Sequence, residues 1–136
     1  MAHDFPEYEE IPHTADLQII AYGKSVEDLF INAAKGMFNA AGAVGDNLSC
    51  EIRRIELKAN DLETLLVSFL EELLFLSEAG WLSEVQELNI FQTNLSGEIH
   101  YFKIKAINKE IKAVTYHDMN ISQEDGVFQT KITFDV

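Results

Sequence analysis

Two stretches of the chain repeat their apolar residues with helical spacing. Val26, Leu29, Phe30, Ala33, Ala34, Met37, Phe38 and Ala41 follow an i, i+3, i+4, i+7 pattern, which puts them on one stripe of an amphipathic helix. Ser25 stands where an N-cap is needed, and Asp28 three residues later makes a variant of the capping box. Gly42 follows the last periodic residue and predicts the stop. A second stripe runs through Leu62, Leu65, Leu66, Phe69, Leu70, Leu73 and Leu74, with Asp61 as its N-cap and Gly80 beyond its end.

The remainder alternates with period two, as strands do. Leu17 to Tyr22 and Glu51 to Ala59 are predicted strands. The phase of the second slips at Arg53–Arg54, the mark of a bulge. Val85 to Thr93 and Glu98 to Ile107 flank "NLSG", which reads as a hairpin turn. Val114 to Ile121 and Val127 to Asp135 flank "SQEDG", where Asp-Gly favours a tight turn. The order is β, α, β, α, then four strands in hairpins. Each helix has one apolar stripe and needs a sheet to cover. The expectation is an α+β two-layer sandwich, with two helices packed on one face of a largely antiparallel sheet. With 136 residues and no linker-like stretch, one domain over 1–136 is expected.

Charge narrows the function. There are 23 acidic residues against 10 basic ones, a net of −13. A protein that grips nucleic acid by itself presents a basic face, because phosphate neutralisation supplies much of the affinity. No basic block is present, so DNA binding is not expected and RNA is expected only through a partner. The acidity fits a basic protein partner or a cation, and equally a merely soluble surface. No apolar run approaches a membrane span. The start, "MAHDFPEYEE", lacks the basic-then-apolar layout of a secretory signal. One cysteine, Cys50, excludes an internal disulfide and a multi-cysteine zinc site, and suits a reducing compartment. A cytoplasmic location is expected. There is no Gly-rich phosphate loop between strand and helix, and no G-x-S-x-G. Cys50 has no histidine near it in sequence, which leaves a thiol nucleophile unsupported at this level.

Three segments carry candidate chemistry. His13-Thr14-Ala15-Asp16 interrupts a strand-like stretch with an imidazole, a hydroxyl and a carboxylate. The tetrapeptide reads either as a turn, with Thr and Asp bonding nearby amides, or as a cation or acid–base site. At the other end, Phe128, Thr130, Ile132 and Phe134 share a face, so Asp135 points off it beside Val136. If the last strand pairs with the first, Asp16, Asp135 and the Val136 carboxylate converge. Three carboxylates so close repel, and are either protonated or neutralised by a cation. All-oxygen ligation selects Ca²⁺ or Mg²⁺ over zinc. The third segment, Lys109 to Ile121, crowds Lys112, Thr115, Tyr116, His117 and Asp118 around Val114. Thr115 and His117 fall on one face. The segment reads also as an ordinary half-buried strand.

The chain resembles the archease family. The resemblance is carried by "HTAD" at His13 to Asp16, "GKSVEDLFINAAKGMF" at Gly23 to Phe38, "LLVSFLEELLFL" at Leu65 to Leu76, "KAVTYHDMNI" at Lys112 to Ile121, and the closing "FDV". Two departures stand out: Leu17-Gln18 where relatives often have Ile-Gly, and Phe128 where a tryptophan is common. The resemblance implies a metal-binding accessory factor, not an enzyme in its own right. Its partner would be an RtcB-type RNA ligase acting in tRNA splicing, whose guanylation and multiple turnover it promotes. It implies a metal site on Asp16, Asp135 and Val136, with Lys112 and its neighbours near the same edge. In the mechanism expected from it, the acidic, cation-loaded edge docks at the ligase active site. There His13, Lys112, Thr115 and His117 form the ligase-activating set. Two rivals remain open: a stand-alone metal-dependent hydrolase using Asp16 and Asp135, and a general chaperone or scaffold.

Overall fold

A computed structural model describes residues 5–11, 17–48, 50–116 and 119–136. Both predicted helices are present. Helix α1 spans Val26–Ala41, with the Ser25 hydroxyl accepting from the Asp28 amide and Gly42 closing it in the left-handed conformation at φ 67°. Helix α2 spans Leu62–Glu78, and the Asp61 carboxylate accepts from the Thr64 amide at 2.7 Å. That bond favours the ionised form and holds the Asp61 carboxyl below its ordinary value.

The strands are β1 (Tyr8–Ile11), β2 (Leu17–Gly23), β3 (Val44–Gly45), β4 (Glu51–Lys58), β5 (Trp81–Phe91), β6 (Asn94–Ala106), β7 (Ala113–Thr115), β8 (Ser122–Glu124) and β9 (Val127–Asp135). Their pairings among the described residues are antiparallel. The α+β class therefore holds, with a refinement: the strands divide between two sheets. One runs β1-β2-β9-β7, with β8 also on β9. The other has β6 at its centre, paired with β3, β4 and β5.

Both helices serve both sheets. Helix α1 packs on β1, β2 and β5, and α2 on β4, β5 and β7. One apolar cluster results, with Phe30, Phe69, Ile19, Ile99, Ile132 and Phe134 fully buried. Gly36 lets α1 settle onto the first sheet. A Cβ there would lie 2.8 Å from Ile19 Cδ1 and 2.9 Å from Tyr8 Cγ.

Three local expectations are corrected. The register of β4 on β6 runs unbroken from Glu51↔Tyr101 to Lys58↔Asn94, so Arg53–Arg54 is not a bulge. Residues 51–54 are all exposed, and a strand end that covers nothing need not keep an apolar phase. The bulge lies in β5, between Val85 and Glu87. "NLSG" is not a turn. The chain reverses at Gln92-Thr93, with Gln92 at φ 57°, and "NLSG" begins β6. Gly97 is there because a Cβ would sit 2.3 Å from the Glu87 carbonyl oxygen, where the bulged strand closes in. Finally, among its described residues the predicted strand Val114 to Ile121 is strand only at its start, in β7, while β8 lies within "SQEDG", which the sequence reads as turn; the two pair with opposite ends of β9. The Asp125-Gly126 turn is as expected, both residues having positive φ.

Candidate functional site

The site begins with strand order. In β9, Phe134 lies opposite Leu17 of β2 on one side and Val114 of β7 on the other. Asp16 is joined to Leu17, and Asp135 to Phe134, by single peptide bonds. The pairing of the last strand with the strand after "HTAD", a premise of the sequence reading, is thus present. The segment from Lys112 onward flanks the opposite edge. The Lys112 amide donates to the Asp135 carbonyl at 2.7 Å, and Ala113 pairs with Asp135.

Burial divides this strand end. Phe134 is fully buried and anchors it in the core. Asp135 and Val136, one residue on, are exposed, as is Lys112. One step back, Thr115 and Gln18 lie opposite Thr133 from its two sides. The Gln18 amide donates to the Thr133 hydroxyl at 3.2 Å. The Thr115 hydroxyl is buried without a hydrogen-bond partner among the described residues. His13, Asp16 and His117 lie outside the described residues, so of the predicted set the structure brings together Lys112, Thr115, Asp135 and Val136.

Helix α2 holds the Lys112–Ile121 segment in place. The Glu71 carboxylate accepts from the Val114 amide at 2.9 Å, and the Glu63 carboxylate from the Ile121 amide at 3.0 Å. Sequence reading missed these two glutamates. They stand within the leucine stripe, and an acidic residue on a helix looks solvated until a strand edge is shown beside it. Their spacing of eight residues, about two turns apart on one face, was the available signal.

For a metal ion, Asp135 offers a carboxylate and Val136 a main-chain oxygen, both accessible. Oxygen donors suit a hard cation. Among the described residues no group of three His, Cys, Asp or Glu side chains is placed to hold a metal, and the remaining expected ligand, Asp16, lies outside them. Cavities of about 370, 450 and 510 Å³ lie on other surfaces. The candidate site is an open strand end. No helix among the described residues is long and apolar enough to cross a membrane.

Fold and strand end together define an α+β protein in which Lys112, Thr115, Asp135 and Val136 gather at one end of a sheet's strands. The profile of the Archease protein family (MTH1598/TM1083) matches residues 8–136. The chain belongs to the archease family. It is 36% identical to a protein archease of Methanosarcina mazei over 140 aligned positions, covering 95% of each chain. It is 35% identical to that of Methanosarcina barkeri over the whole of both. Among solved structures, it is similar to Methanobacterium thermoautotrophicum protein 1598, with a TM-score of 0.69, 29% identity, and coverage of 96% of this chain and 99% of that one. A Thermotoga maritima protein, described as an archease and possible chaperone, shares the fold with a TM-score of 0.70 at 24% identity, covering 99% and 100%.

Proposed function

We propose that this protein is a divalent-cation-binding accessory factor that activates an RtcB-type RNA ligase, promoting its guanylation and multiple turnover in tRNA splicing. One observation carries the reading. Phe134 is paired on both sides, by Leu17 and by Val114, so the strand that follows "HTAD", the strand that opens "KAVTYHDMNI" and the closing "FDV" meet at one strand end. Asp135 and the Val136 oxygen, with Asp16, are the proposed ligands, and the proposed ion is Ca²⁺ or Mg²⁺. When bound, the ion supplies positive charge at an acidic edge. The exposed ammonium of Lys112 is a second cation there. Positive groups held near phosphates stabilise negative charge that develops during nucleotidyl transfer. Thr115 places a hydroxyl one residue pair deeper, and His13 and His117 are assigned to orient the carboxylates.

The test is ligase guanylation, followed with labelled GTP, in the presence and absence of this protein. Stimulation by the wild type and its loss in Asp135→Ala are expected. A chaperone reading, favoured by the description of the Thermotoga maritima relative, predicts instead that Asp135→Ala still protects unrelated clients from aggregation and that ligase guanylation is unaffected throughout. Phosphoester turnover by the isolated protein, lost in the same variant, identifies a hydrolase.

A further inference from the structure

The second sheet carries a group of side chains that the accessory function does not use. Cys50, just before β4, places its Sγ 3.8 Å from Nδ1 of His100 on β6. The other ring nitrogen of His100, Nε2, is 3.1 Å from Oε1 of Glu98. Fifty residues separate the thiol from the imidazole in sequence. The pairing of β4 with β6, in which Ile52 lies opposite His100, brings them together. Cys50 is exposed, so the thiol is reachable.

The arrangement has a chemical direction. Glu98 accepts a proton donor at Nε2, which leaves Nδ1 as the acceptor facing the thiol. This is the order of a nucleophile, a base and a carboxylate that orients the base. Charged residues on the neighbouring strands are Glu84 of β5, opposite His100, and both Arg54 of β4 and Glu87 of β5, opposite Glu98. Glu84 takes a bond from Gln86 at 2.9 Å.

We infer that Cys50 is a nucleophilic thiol that exchanges with low-molecular-weight disulfides, His100 being its base and Glu98 the positioning residue. In the step, the Cys50 proton passes to His100 Nδ1 and the sulfur attacks one sulfur of the disulfide. The S–S bond breaks, a protein mixed disulfide forms, and the departing thiolate takes the proton back from His100. The disulfide is the oxidant, and one small thiol is released per Cys50 modified. Attack on a disulfide places no charge on oxygen, so the step needs no oxyanion-binding group.

The experiment uses the full chain with oxidised glutathione, read by intact-mass spectrometry. The chain unfolded in urea serves as reference, since it has the same single thiol without its partners. The folded protein is expected to form the mixed disulfide at least about tenfold faster at pH 7, the lower end of what a positioned base supplies being roughly a hundredfold. His100→Gln, checked by its thermal melt, should bring the folded rate down to the reference. Rate against pH should differ in shape between the wild type and His100→Gln. Glu98→Gln should fall between the two. A folded rate no faster than the unfolded one, or one unchanged by His100→Gln, overturns the assignment. A Glu98→Gln rate equal to wild type removes Glu98 from it. Ligase stimulation plays no part in these readouts, so they stand or fall apart from the accessory function.

Discussion

The Lys112 amide and the Asp135 carbonyl are joined at 2.7 Å, while both side chains stand in solvent. The backbone therefore fixes where these two side chains emerge, and neither contributes to the fold beyond that. Lys112→Ala keeps the backbone bond and should change stability by no more than about 0.5 kcal/mol. Stimulation of ligase guanylation should nevertheless fall sharply. Lys112→Arg should restore part of it, because a planar guanidinium presents its charge in a different geometry from an ammonium. Guanylation rates at saturating accessory protein, set beside thermal melts of each variant, decide the matter. Full stimulation by Lys112→Ala removes this residue from the site.

Cation binding is checked by melting. Only the folded chain brings the two ends together, so Ca²⁺ or Mg²⁺ should raise the melting temperature. The gain approaches about 2.7 kcal/mol when the ion is a hundredfold above its dissociation constant. Asp135→Asn should melt like wild type without the ion, being exposed, and should lose the ion-dependent shift. Equal shifts in both proteins place the ion elsewhere.

Glu71 accepts from the backbone of Val114 at 2.9 Å. Glu71→Ala leaves that half-buried amide without its acceptor and should destabilise by about 1–3 kcal/mol. Glu71→Gln keeps an acceptor oxygen and should recover much of the loss. Hydrogen exchange at the Val114 amide, slow in wild type and Glu71→Gln but fast in Glu71→Ala, distinguishes a local release of β7 from general weakening.

Acid stability has a specific contributor in Asp61. The Thr64 amide lowers its folded pKa from 3.8. A depressed carboxyl stabilises the fold above its unfolded value and loses that contribution as pH falls through the folded value. Asp61→Asn caps the helix without titrating there. The excess melting temperature of wild type over Asp61→Asn should therefore be full above about pH 5 and shrink below 3.8. A difference that stays constant down to pH 2 would falsify the assignment.

The helices were legible because their signals are local. Ser25, Asp61 and Gly42 act on amides and carbonyls a turn away, and the apolar stripes need only a surface to bury against. The sheets were less so. Gly97 looks like a turn residue in "NLSG", yet its reason is the approach of Glu87 from another strand. The slip at Arg53–Arg54 looked like a bulge because alternation was assumed to report burial, and the exposed end of β4 has none to report. The pairing of β9 with β2 entered the sequence reading only as a premise, because sequence does not fix strand order, and the structure shows that pairing. For Glu63 and Glu71 the only local hint was their spacing on one face of α2, and nothing local could place His100 beside Cys50, since each relation crosses between elements.

Strand β9 also sets a temporal order. It pairs with β2 on one edge and with β7 and β8 on the other, and Gln18 reaches Thr133 across 115 residues. A growing chain makes β2 early and must wait for its neighbour until nearly everything else described has been made. Long-range pairing of this kind is slow to close. The step that inserts β9 seats Phe134 in the core and at the same moment presents Asp135 beside Lys112. Until that insertion Asp135 and Lys112 are not side by side, so the proposed accessory edge, which uses both, would be complete only when the fold is. If the proposal holds, a nascent or partly folded chain would have no such edge to offer a partner.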